Sequence, residues 1–252
     1  MTQQPTPELE QLLLRGDIWR GTKAVVQDNN GQDTGYPALN DYLVHHGWPQ
    51  SCLIEINLQE AGHGEWLLLS PALSNSPQGL QILINPPAIP FAQGLIQAGI
   101  DLDRLLIINA PAKHDFLAAF VEISRAKACS HLLAWQPAQA LNYTEIRKCV
   151  LASNEGTGIY WLLRHSRNIA QHSPAHLRLR TRIHAEHLEV VITKQKSGDQ
   201  SLLNKPLEIP LPREWMGYET HANLGTLPDT HKRTQSTKAG KATNKVTRLR
   251  NR

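Results

Sequence analysis

Between residues 51 and 165 short apolar runs alternate with longer amphipathic ones. "SCLIEINL", "LQILINPP", "RLLIINAP", "CSHLLAWQP" and "TGIYWLLRH" each carry four to six apolar residues without a period of two. Such runs suit strands buried on both faces. Between them lie "EWLLLSPALSNS", "AIPFAQGLIQAGI", "HDFLAAFVEISRAK" and "LNYTEIRKCVLASNEG", read as helices. Phe116, Phe120 and Ile123 recur at helical spacing, and Gly99 and Gly156 mark helix ends. Five strands alternating with four helices predict an α/β fold, with a mostly parallel central sheet flanked by helices and right-handed crossovers.

The pattern then changes. In "HLRLRTRIHAEHLEVVITKQKSG", Leu177, Leu179, Thr181 and Ile183 alternate with Arg178, Arg180, Arg182 and His184. That predicts an antiparallel hairpin at the C-terminal edge, with its arginines on a wet face. Ahead of the sheet, Thr34-Gly35 and Gly47-Trp48-Pro49 read as turns around a short helix from Leu39 to Leu43. Pro7–Arg15 reads as a short amphipathic helix with Leu9, Leu12 and Leu13 on one face. These leucines and Trp19 either cover their own sheet or dock on a neighbouring copy, which would be self-association. The expected organisation is an N-terminal helix and linker over 1–33, a core over 34–218, and a tail over 219–252.

Charge sharpens the last boundary. The tail holds Lys232, Arg233, Lys238, Lys241, Lys245, Arg248, Arg250 and Arg252 against Glu219 and Asp229, a net +6, which leaves −2 for residues 1–218 of the +4 total. With few large apolar groups, the tail is expected to be disordered, and its cations are the candidate DNA or partner contacts. No aromatic residue follows Tyr218, so the tail offers bases no stacking surface. Cys52, Cys129 and Cys149 show neither disulfide nor metal spacing and read as reduced thiols of a cytoplasmic protein. No apolar run reaches the ~20 residues of a membrane span.

Ligands of open α/β sheets collect at the carboxyl ends of the strands. After the first strand comes "QEAGHGEW", a glycine turn leading into a helix. A phosphate-binding loop reads GxxxxGK[ST], with Lys neutralising phosphates and the hydroxyl holding Mg²⁺. Here Gln59 stands at the first Gly position, Glu65 at the Lys position and Trp66 at the hydroxyl position. The degenerate site is therefore Gly62, Gly64, Glu65 and Trp66, with Trp66 large enough to fill nucleotide space. The second strand ends in Asn85-Pro86-Pro87 and the fourth in Trp135-Gln136, where catalytic and metal-binding carboxylates would be expected. Phosphoryl transfer rests on positioning and charge neutralisation, so these replacements predict no ATPase activity and no cofactor. The twelve histidines are scattered, and His184 and His187 flank a turn as a solvated pair with no metal site. No catalytic residue is assigned.

The residues carry a family resemblance. "TGYPALNDYLVHHGWPQSCLIEI" and "FAQGLIQAGIDLDRLLII" resemble RecA-type recombinases, and "SPAHLRLRTRI" with "LEVVITKQKSG" is similar to the strands closing a RecA core. "LLLRGDIWRG", "LINPPAIPFAQGLIQAGID", "LLAWQP" and "NEGTGIYWLLR" resemble the ImuA family over about residues 9–215. That resemblance implies a RecA-like accessory protein of SOS-induced translesion synthesis and mutagenesis, binding ImuB, RecA-type partners and DNA. "GEWLLLSPAL" and "ASNEGTGIYWLLR" also resemble SulA, an inhibitor of cell division that binds FtsZ. SulA-like chains lack the Thr-Gly/Gly-Trp-Pro segment and the long closing hairpin, which favours the ImuA likeness.

Overall fold

The structure, a computed structural model, describes residues 31–62, 64–76, 78–196 and 200–211. The expected Pro7–Arg15 helix, Trp19, and the eight tail cations from Lys232 to Arg252 lie outside the described residues.

A short helix, α1 (Pro37–Tyr42), precedes β1 (Leu53–Leu58) and α2 (Glu65–Ser74). Then follow β2 (Leu80–Ile84), α3 (Ala92–Gln97), β3 (Leu105–Ile108), α4 (Lys113–Arg125) and β4 (Cys129–Trp135). The described residues end with α5 (Tyr143–Glu155), β5 (Ile159–His165), β6 (Leu177–Ile183), β7 (His187–Gln195) and β8 (Pro206–Pro210). Among the described residues eight strands form one sheet in the order β3-β2-β4-β5-β1-β6-β7-β8. The expected α/β class holds: β3 to β6 in that order are mutually parallel, and β7 and β8 add an antiparallel edge. Two details differ from expectation. β6, read as the first strand of an antiparallel edge hairpin, itself pairs in parallel with β1, and β8 is an additional edge strand bounded by Pro206 and Pro210.

The alternation of strand side chains divides the core in two. Leu133, Trp135, Trp161 and Ile56 pack under α1, α2 and α3, while Leu132, Ala134, Tyr160 and Leu53 pack under α4 and α5. Leu68, Leu69 and Leu73 of α2 are fully buried, and each such burial stabilises by ~1.5–3 kcal/mol. Pro71 inside α2 cannot donate to the Leu67 carbonyl. The Tyr36 hydroxyl donates there instead, at 2.5 Å. Burial raises the Tyr36 hydroxyl to about 12, so it stays a donor. Tyr36, which follows the predicted Thr34-Gly35 turn, thus supplies the donor that Pro71 lacks within the continuous helix α2.

α3 is shorter than its sequence pattern, since the segment from Ala88 to Phe91 is not helical. α5 begins with a capping box in which Asn142 Oδ1 accepts from Glu145 N–H and Glu145 Oε2 accepts from Asn142 N–H. It ends at Gly156, where any side chain would collide with the Tyr160 hydroxyl and the Ser124 carbonyl. All three cysteines are free and buried, and burial raises each thiol to about 12. Among the described residues no helix is long and apolar enough to cross a membrane.

Candidate functional site

The carboxyl ends of β1, β2, β4 and β5 surround a cleft of about 210 Å³, lined in part by Leu58, Asn85, Trp135, Gln136, Arg164 and Arg167. The glycine loop enters it from β1. Gly62 and Gly64 both have positive φ, 88° and 96°, so the loop turns sharply before α2 starts at Glu65. A Cβ on Gly64 would lie 2.7 Å from Leu188 Cδ1 of β7, so the loop is also wedged against the antiparallel edge.

Glu65 is fully buried. Its Oε1 accepts the Gly62 N–H at 2.5 Å and the Trp135 indole N–H at 3.4 Å. In a phosphate-binding loop such N–H groups face the anion. Here the chain supplies its own anion, and the start of α2 places that carboxylate at the positive end of the helix. A polyphosphate entering the loop would meet a buried negative charge and a donor already engaged.

Trp66 takes a different place from the one expected. It does not line the cleft; its ring stacks obliquely on Trp135, with centroids 6.0 Å apart, and borders an apolar groove beside Phe91 and Leu95. The residue that closes the loop is therefore Glu65, and Trp135 is the aromatic group that lines the cleft.

The other strand ends are structural. Asn85 adopts φ 52°, and its side chain both accepts from and donates to the Ala110 backbone, at 2.7 and 2.8 Å, tying β2 to the segment after β3. Gln136 Oε1 accepts from Arg164 Nε at 2.7 Å and from the Leu141 N–H at 3.3 Å.

Arg164 leads to a feature that reading the sequence missed. Glu55 of β1 is fully buried, and its Oε1 lies 3.0 Å from both Arg164 Nη1 of β5 and Arg178 Nε of β6. Asn57 Nδ2 donates to the same oxygen at 3.1 Å. Arg164 Nη2 also donates to the Leu141 carbonyl and to Gln171, and Arg178 Nη2 donates to the Asn168 carbonyl, so the β5–β6 connection covers the cluster. Arg178, expected on the wet face, is thus buried; Arg180 and Arg182 are exposed as expected. A signal was present in the sequence. A glutamate inside a strand buried on both faces needs a buried cation, because an unpaired charge there is prohibitively costly.

His184 and His187 are half-buried rather than solvated, their rings stacked at 4.6 Å. Among the described residues no group of three His, Cys, Asp or Glu side chains could hold a metal ion. Neither Lys nor a carboxylate lines the carboxyl-end cleft among the described residues.

Comparison with known proteins gives no matching family model and no matching curated relative.

Proposed function

We propose that this chain is a non-catalytic accessory protein of SOS-induced translesion DNA synthesis and mutagenesis: a RecA-like scaffold whose nucleotide site is degenerate. It acts in the cytoplasm by binding ImuB and RecA-type partners. The observation that carries the non-catalytic reading is the Glu65 carboxylate seated on the Gly62 N–H, inside the loop that would hold phosphates. A scaffold closed in this way loses positioning, cation and metal together, the terms on which phosphoryl transfer depends.

Binding through surfaces has its own support. Ile89, Phe91 and Ile96 are 91%, 72% and 59% exposed, and Leu106 and Ile107 of the edge strand β3 are also exposed. An apolar patch beside a strand edge that is unpaired among the described residues is a frequent mark of protein contact.

Two assays test the reading. Steady-state ATP hydrolysis is expected to stay at background for the natural sequence and for Glu65→Lys, which restores the cation alone. Robust turnover by the natural chain overturns the non-catalytic reading. Parallel co-purification with ImuB, RecA and FtsZ is expected to retain ImuB or RecA, and Phe91→Asp with Ile96→Asp to release them. Retention of FtsZ alone would replace this reading with the SulA-like one, an inhibitor of cell division.

A further inference from the structure

A second pair of concavities lies away from the carboxyl-end cleft. One, of about 480 Å³, runs between α5 and the C-terminal part of β7, with Tyr143, Arg147, Lys194 and Lys196 on its walls. The other, of about 350 Å³, lies at the amino end of β1, beside Cys52. The two share His176 and Lys196 and so adjoin along one face as a two-part groove.

Its charge is one-sided. Among the described residues no Asp or Glu lines either part, although residues 1–218 as a whole carry a net −2. Among the described residues Arg147, Lys194 and Lys196 form no salt bridge. Lys194 Nζ instead donates to the Ser173 carbonyl at 2.8 Å, which fixes its ammonium at the rim. Burial and then the charges of Arg178 and Lys196 pull the Lys194 ammonium below the ordinary lysine range, with Glu55 opposing. Burial and then Lys196 and Lys194 do the same to His176. His176 Nδ1 is buried without a hydrogen-bond partner among the described residues, at the junction of the two parts. Like charges held together without salt-bridge partners raise the energy of the empty groove, and a bound polyanion relieves it.

The groove also has an apolar wall. Tyr143 and Leu151 of α5 are 51% and 50% exposed. A plain anion has no use for them, whereas an unpaired base has a face that stacks on an aromatic ring. A duplex would present its phosphates but no unstacked base.

We propose that this groove binds single-stranded nucleic acid, with Arg147, Lys194 and Lys196 along the phosphate backbone and Tyr143 stacked on a base. The site stands apart from the partner reading above and from the basic tail.

The test is fluorescence anisotropy of the full chain with labelled oligothymidine across a salt series. Arg147→Gln combined with Lys196→Gln is expected to weaken binding by about ten-fold at low salt, and to reduce the slope of log K against log[salt] by ~1.4, at ~0.7 per phosphate contact. Tyr143→Ala is expected to weaken oligothymidine binding at least five-fold, the lower end of base stacking, while leaving the affinity for inorganic polyphosphate unchanged. Lys127→Gln with Lys205→Gln, off the groove, should change neither. If the Arg147/Lys196 variant keeps natural affinity and salt slope, the tail carries the binding and the groove proposal fails. An equal loss of polyphosphate binding in Tyr143→Ala would overturn the stacking role.

Discussion

Replacing Glu55 by Gln is the most severe test of the physical account given for the sheet centre. The substitution keeps shape and one acceptor but removes the negative charge. Glu55 Oε1 accepts from Arg164 Nη1 and Arg178 Nε at 3.0 Å each, with side chains 0% and 10% exposed. The natural cluster sets one carboxylate against two guanidiniums; the variant leaves two cations buried with none. Breaking a buried pair by removing one partner costs ~3–5 kcal/mol, and two charge-assisted hydrogen bonds of ~1.5–3 kcal/mol each give an overlapping ~3–6 kcal/mol. Against a total stability of ~5–15 kcal/mol, that is roughly a fifth or more of the fold. With a urea slope of about 2 kcal/mol/M, the midpoint should fall by ~2 M at unchanged slope. Replacing all three residues together, Glu55→Leu with Arg164→Leu and Arg178→Met, should recover more than half of the loss, because no charge then remains buried. Recovery is partial, since Arg164 also holds Gln136, Gln171 and the Leu141 carbonyl. A midpoint shift under ~0.5 M for Glu55→Gln would show that water or relaxation screens the pair, and the reasoning would be wrong.

Two further outcomes follow from the same geometry. Gly64→Ala puts a side chain at φ 96° and 2.7 Å from Leu188 Cδ1; it should cost more than ~1 kcal/mol in urea unfolding, and a neutral result would mean that the loop is not wedged. His131 is held by Gln32, Ser76 and Ser130 and stacked on Trp161, and burial, then Arg104, lowers it to about 4 from 6.5. The unfolded chain therefore binds the extra proton first, so this group's contribution is whole above pH 6.5 and is lost progressively towards pH 4, by up to ~3 kcal/mol. His131→Gln should flatten that part of the stability–pH curve, and an unchanged curve would refute the assignment.

The strands and helices of the parallel region were legible because their signal is local. Each apolar run needs only its own residues to declare itself, as does Gly156 at the end of α5. Pairing was harder. That β6 lies beside β1 is decided by contacts across more than a hundred residues, as in the register Glu55↔Arg178. β8 was hidden by prolines at both ends, which an edge strand tolerates and a central strand does not. At the glycine loop the missing Lys could be read, but the direction of the Glu65 side chain could not, because it depends on where Gly62 and Trp135 come to rest. Arg178 was misplaced for the opposite reason: strict local alternation put it on a wet face, whereas Glu55 called for a buried cation without saying which one, and the β5–β6 connection folds over that face.

The buried cluster and the basic groove are electrostatically joined, and this bears on where an anion can bind. At the carboxyl ends, the Glu65 carboxylate engages the loop, and Arg164 turns to Glu55, Gln136 and Gln171. Few donors remain there for a ligand. At the amino end of β1 the balance reverses. Glu55 is one carboxylate facing two guanidiniums, and Arg178 contributes directly to the positive potential felt by Lys194. The cluster thus adds to the groove's field from beneath, while Glu65 subtracts from the cleft's. A chain built this way carries its anion-binding potential at the opposite end of β1 from the usual ligand crevice. Glu65→Gln should accordingly leave oligothymidine affinity unaltered, because the charge it removes belongs to the cleft and not to the groove.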